Sequence, residues 1–192
     1  PDASRPMVIF DAIAAPLLKE SAYAFDILNG WFVSAGGIAD GLAHFSSNAL
    51  VSAMSDSPNV ANVVIHSLVR VMTENKHNDR LTLPTLRVCD FLISRGCLPQ
   101  SHEIALALVE SIRSECFSSR EISKLTVGAS CLAHFIRAQA EEVHKSSATG
   151  LLALMVNRYP RVRREAAEQM YMGLIALDEP SGDDERASEL LS

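Results

Sequence analysis

Cys131 and His134 stand three residues apart, a spacing that puts both side chains on one face of a helix. A thiol beside an imidazole is one ingredient of nucleophilic catalysis, because the ring can take the thiol proton. The neighbours argue against that use. Leu132, Ala133, Phe135 and Ile136 make the segment apolar, so a buried core pair is the better reading. The other cysteines are Cys89, Cys97 and Cys116, and none of the four forms a Cys-x-x-Cys pair. Free buried thiols in a reducing compartment are expected. Structural zinc needs about four converging ligands at short paired spacings. Cys89 and Cys97 are too far apart for that, and no His-x-x-x-His accompanies them. His44, His66, His77, His102 and His144 show no ligand spacing and read as surface or cap positions. Gly36-Gly37 lacks the Lys-Ser/Thr of a phosphate loop and follows no strand pattern, so it reads as a tight turn between helices. No catalytic residue, metal or cofactor is expected, and the chain reads as a non-enzyme.

Positive charge is concentrated at Arg158, Arg161, Arg163 and Arg164. Pro160, Val162 and Arg163 resemble the turn and second helix of a HEAT repeat, and the resemblance implies a structural task for Arg163, tying one repeat to an acid of the next. Arg158, Arg161 and Arg164 are freer and are the candidate partner-binding residues, able to steer an acidic surface. Trp31 and Phe32, just before the paired glycines, read as core rather than interface anchors. The polar loop Glu74–Arg80 reads as an exposed contact.

The elements that position these residues are helices. Val60, Val63, Val64, Leu68, Val71 and Met72 recur at steps of three and four. Asp56 or Ser57 fits a cap before Pro58 at the first helical position. Arg95-Gly96 fits a C-terminal cap in the left-handed region. Ile104, Leu108, Ile112 and Cys116 make a further stripe, as do Ile122, Leu125, Ala129, Leu132 and Ile136. Helices are expected near 7–15, 17–34, 38–54, 60–75, 83–96, 102–116, 121–143, 147–159 and 161–177, with no strand alternation. Short links make successive helices antiparallel neighbours. Pairs recurring every ~40 residues point to an all-α, HEAT/armadillo-like α-solenoid of antiparallel helix pairs. Pro160 then ends one helix and opens the next, and Val162, Ala166, Met170 and Leu174 form its core stripe.

Hydrophobic residues make up 48% of the 192 and charged residues 21%, as in an ordinary folded domain. Residues 178–192 hold six acids against one base, Arg186, and carry nearly all of the net charge of -6. The division expected is a helical-repeat domain over 1–177 and a solvated acidic tail over 178–192. The nearly neutral body shows no footprint for nucleic acid. No apolar run approaches the ~20 residues of a membrane span. The chain begins at Pro1 rather than methionine, so we read it as a piece of something longer.

Three stretches carry a family resemblance. Phe32-Val33-Ser34-Ala35-Gly36-Gly37-Ile38 leads into His44-Phe45-Ser46-Ser47-Asn48-Ala49-Leu50. Arg80-Leu81-Thr82-Leu83-Pro84-Thr85-Leu86 precedes Asp90-Phe91-Leu92-Ile93-Ser94-Arg95-Gly96-Cys97. The third runs from Tyr159 through Pro160, Val162 and Arg163 to Gln169-Met170-Tyr171. Together they resemble the C-terminal domain of the tubulin-folding cofactor D (tubulin-specific chaperone D) family, from about residue 20 to 177, with a departure at Ala39-Asp40-Gly41. The resemblance implies a cytoplasmic helical-repeat chaperone that binds β-tubulin. It would act with tubulin-folding cofactors C and E and a small Arf-like GTPase to assemble or take apart αβ-tubulin. Within that complex it would help stimulate GTP hydrolysis. The alternative is a generic HEAT-repeat scaffold domain of another cytosolic assembly.

Overall fold

The computed structural model describes residues 23–178 apart from 39, 98 and 100. Its regular elements are α1 (Ala24–Ala35), α2 (Asp40–Asp56), α3 (Pro58–Glu74), α4 (Asp79–Ser94), α5 (His102–Ser118), α6 (Ile122–His134), a 3-10 turn (Phe135–Arg137), α7 (Glu141–Met155) and α8 (Pro160–Asp178). The chain is all-α over the described residues. The helix expected near 7–15, the start of the one expected over 17–34, and the tail past Asp178 lie outside them.

Packing sorts the helices into two rows. α4 lies against α1 on one side and α6 on the other, and α6 lies against α8. Opposite them α3 packs on α5 and α5 on α7. Each of the sequence neighbours α3/α4, α5/α6 and α7/α8 is also in contact, while α2 touches α1, α3 and α4. The core fills the space between the rows, where Leu68, Leu92, Leu108, Ile112, Leu125 and Leu132 are wholly out of water. Burying side chains of this size contributes about 1.5–3 kcal/mol each.

Local signals explain most of the ends. Ser57 caps α3 by accepting from the Val60 amide, with Pro58 at the first helical position. Gly96 has φ +83°, and the Gly96 and Cys97 amides donate to the carbonyls of Ile93 and Leu92. That is the left-handed cap expected at the end of α4. The continuous helix expected over 121–143 breaks instead after His134, and α7 starts at Glu141 rather than near 147. Ala138-Gln139-Ala140 contains no helix breaker, so composition conceals the break. The chain marks it through Glu141 and Glu142, two acids in a first turn where helix dipoles favour them. His144 Nδ1, 2.6 Å from the Ile136 carbonyl, donates to an oxygen the break leaves without a helical partner.

The stripe expected along α8 holds only in part. Val162 and Ala166 are fully buried, Met170 is half-buried, and Leu174 is 43% exposed. A step of four advances a helical face by about 40°, so three steps rotate Leu174 well off the core side. Gly173 takes the inner place, where a Cβ would lie 3.3 Å from the Ile136 Cβ and 3.4 Å from the Ala133 carbonyl.

Candidate protein-docking site

The turn joining α7 to α8 is built by its own polar groups. The Asn157 side chain accepts from the Tyr159 amide at 3.1 Å, and Pro160 then opens α8. Arg163 folds back, its Nη1 donating to the carbonyls of Asn157 at 3.0 Å and Arg158 at 3.2 Å. These oxygens follow the last turn of α7 and lack helical donors, so the guanidinium satisfies them. Arg163 therefore secures its own turn rather than reaching an acid of the neighbouring pair. Val162 is wholly buried beside it.

The remaining arginines face water. Arg158 lies over the Tyr159 ring at 4.6 Å and donates from Nη2 to the phenol oxygen at 2.6 Å. Arg161 has no hydrogen-bond or ion-pair partner among the described residues. Arg164 pairs with Glu168 at 2.7 Å, one turn along α8. The turn thus presents two guanidinium groups without an acid partner among the described residues, and one already shared. Planar, permanently charged donors of this kind suit carboxylates.

Cys131 and His134 do not meet as a pair. The Cys131 thiol is fully buried, donates toward the Leu86 carbonyl at 3.5 Å and lies beside Cys89. His134 turns the other way, with Nε2 3.3 Å from Asp90 Oδ1, an oxygen that also accepts from the Ser130 hydroxyl at 2.7 Å. The bond to Cys89, burial and the nearby Asp90 charge all raise the Cys131 pKa well above its ordinary value. Burial pushes the Cys116 thiol up to about 12. A thiol needs its anionic form to attack, and here the surroundings favour the neutral one. In the native chain a dithionitrobenzoate titration is expected to label Cys97, the half-buried thiol, first. Cys89, Cys116 and Cys131 should react only after unfolding. Rapid labelling of Cys131 in the folded chain would contradict this geometry.

Trp31 and Phe32 are buried, and Trp31 Nε1 donates to the Ser46 carbonyl at 2.9 Å. Gly36 and Gly37 make the turn between α1 and α2. Between α3 and α4, Lys76 and His77 are exposed, as is Arg80 in the first turn of α4, and Glu74 at the end of α3 pairs with Arg70. No three His, Cys, Asp or Glu among the described residues are placed to share a metal ion. No described helix is long and apolar enough to cross a membrane.

Two features escape the sequence reading. Lys124 is buried to 1% exposure, with Nζ bound to the equally buried Glu115 and to Asp79 at 2.8 Å. Phe117 and Val156, ending α5 and α7, are 90% and 82% exposed. Phe117 follows directly on Cys116, the last member of the α5 stripe, and so points about 100° away from the core face.

A family model described as tubulin folding cofactor D C terminal matches residues 1–124. The match takes in Gly36-Gly37, the Arg80–Leu86 stretch and Asp90–Cys97, and ends in the first turn of α6. The Arg158–Arg164 turn lies beyond it. Because the matched residues are the larger part of the chain, the chain belongs to the tubulin folding cofactor D C-terminal family.

Proposed function

We propose that this chain is a protein-interaction domain of a tubulin-folding chaperone, working by contact rather than catalysis. We read residues 1–177 as one helical-repeat domain and 178–192 as an acidic tail, with the two rows of described helices, from Ala24 onward, stacked in the HEAT manner. The domain binds β-tubulin and takes part in assembling and taking apart αβ-tubulin. It works in the cytoplasm with tubulin-folding cofactors C and E and a small Arf-like GTPase, and contributes to GTPase activation only within that complex. The observation that carries this reading is the family match over residues 1–124. The exposed guanidinium groups of Arg158 and Arg161 supply a physical means, since paired opposite charges speed and orient encounter. A scaffold domain of another assembly would draw only on the Pro160–Arg164 turn, which lies outside the matched residues.

The test is retention of purified tubulin and of the cofactors by the immobilised 192-residue chain at low and high salt. Retention at low salt is expected, falling as salt screens the contact. Joint replacement Arg158→Glu, Arg161→Glu and Arg164→Glu should lower retention about tenfold, with each pair-breaking step worth a modest share at an exposed rim. Retention unchanged by the triple replacement would remove these residues from the interface. No tubulin retained under any salt condition would remove the function itself.

A further inference from the structure

The register of the rows brings three hairpin turns to one edge. Lys124 at the start of α6 donates to Asp79 at the start of α4. His77, between α3 and α4, donates its amide to Glu115 near the end of α5 at 3.3 Å, and its Nδ1 lies 3.1 Å from the Ser118 hydroxyl. Gly173 of α8 abuts Ala133 of α6, and counting back equally from both brings Val162 level with Ile122. In the other row, Arg113 of α5 reaches Ser146 at 2.8 Å and crowds Gly150 of α7, so α5 and α7 also end on this side.

Two large apolar side chains stand in water on that edge, Phe117 and Val156, each at the end of the first helix of its pair. A single exposed apolar residue needs no explanation. Recurrence at equivalent places in successive turns, among unpaired cations, is a pattern. Lys76, Arg80, Arg120, Arg158 and Arg161 have no acid partner among the described residues. Asp79 and Glu115 hold Lys124 between them, Glu74 holds Arg70, and Glu121 caps α6 through the Ser123 amide. Two acids on one lysine and the capping Glu121 leave about two negative charges on the edge, against these five cations.

We propose that this edge is a docking ridge for an acidic polypeptide segment carrying apolar side chains. Phe117 and Val156 receive the apolar groups, and Arg120, Arg158 and Arg161 meet the carboxylates. The proposal rests on the reading of Arg158 and Arg161 as partner contacts, and adds to it the partner's chemistry and two further turns.

Fluorescence anisotropy of the intact chain with two labelled peptides tests it. One peptide alternates glutamate with phenylalanine and leucine, and the other replaces the apolar residues by serine at equal charge. The first should bind about tenfold more tightly. Phe117→Ser with Val156→Ser should erase that preference, and Arg120→Glu with Arg158→Glu should weaken both peptides and flatten their salt dependence. All four side chains are exposed or on turns, so the melting temperature should not move, and its constancy separates lost binding from lost fold. Equal affinity for the two peptides, or an unaffected Phe117→Ser/Val156→Ser chain, would overturn the ridge. So would Asp183→Asn, Asp184→Asn and Glu185→Gln tightening binding about tenfold, since the occupant would then be the chain's own acidic tail. Tubulin retained without any peptide preference would leave the chaperone reading standing and the ridge fallen. Peptide preference without tubulin retention would do the reverse.

Discussion

Lys124→Met should destabilise the chain by about 3–5 kcal/mol, because it strips the counter-charge from a buried carboxylate. For a domain of this size that is a fall in melting temperature of roughly 6–20 °C. Lys124 and Glu115 are each 1% exposed, while Asp79 keeps about half of its side chain in water. The loss therefore falls on Glu115, which has no other ion-pair partner among the described residues. Replacing both partners, Lys124→Met with Glu115→Leu, should recover most of the loss, since an apolar pair of similar volume often serves a buried site as well. Recovery should stop short of complete. Glu115 also accepts from the amide of His77, a residue held at φ 66°, and a left-handed non-glycine residue needs such a partner to hold it. A single replacement costing under 1 kcal/mol would mean that the ion pair is not buried in solution.

The same cluster sets a pH dependence. Burial lowers the Lys124 pKa, but the hydrogen bonds and charges of Asp79 and Glu115 outweigh it and leave the pKa raised above 10.5. A folded-state pKa above the unfolded one gives stability that is complete below 10.5 and is lost as pH climbs through the folded value. The Cys116 thiol, raised from 9.0 to about 12, adds a loss of the same sign across that window. Melting temperature should hold to about pH 9 and then decline. The decline should be shallower in Lys124→Met, where only the thiols remain to drive it. Equal slopes in the two chains would show that Lys124 carries no perturbed proton.

The sequence exposed the features that depend on one helix and hid those that depend on two. The stripes of α3, α5 and α6, the Ser57-Pro58 start and the Gly96 cap are local, so periodicity and cap chemistry suffice to read them. The break after His134 is decided by buried Phe135 and Ile136 and by His144 reaching back to a carbonyl, a tertiary solution with no breaker residue to announce it. The Arg158–Arg164 turn was legible as a cluster. Its division of labour was not, because only folding of the turn spends Arg163 on carbonyls and Arg164 on Glu168. Lys124 carried no sequence signal at all. A lysine between Ser123 and Leu125 reads as a surface residue, and its burial follows from Asp79, Glu115 and α4–α6 packing far away in the chain.

Gly36→Ala should likewise destabilise, and its sign separates two explanations of the paired glycines. Gly36 has φ -92° and ψ 5°, a conformation open to any residue. Were the glycine there only for the turn, alanine would stabilise by about 0.4–1 kcal/mol through a less flexible unfolded chain. The packing points the other way. A Cβ at Gly36 would lie 2.0 Å from the Pro84 carbonyl oxygen and 2.5 Å from its carbon. These are backbone atoms of α4, so no side-chain rotation relieves the overlap. The Arg87 guanidinium also donates to the Gly36 carbonyl at 3.2 Å, which ties the same two helices at the same point. Separating them should cost at least the ~1–3 kcal/mol typical of overpacking. Gly30 supplies the control within α1. It is exposed, no described atom lies within 4 Å of a Cβ there, and Gly30→Ala should gain about 0.5–1 kcal/mol from helix propensity. Paired thermal melts should therefore move in opposite directions for the two glycines. A Gly36→Ala chain melting at or above the original would mean that α1 does not sit on Pro84, and that the row α1, α4, α6, α8 is not continuous at its first joint.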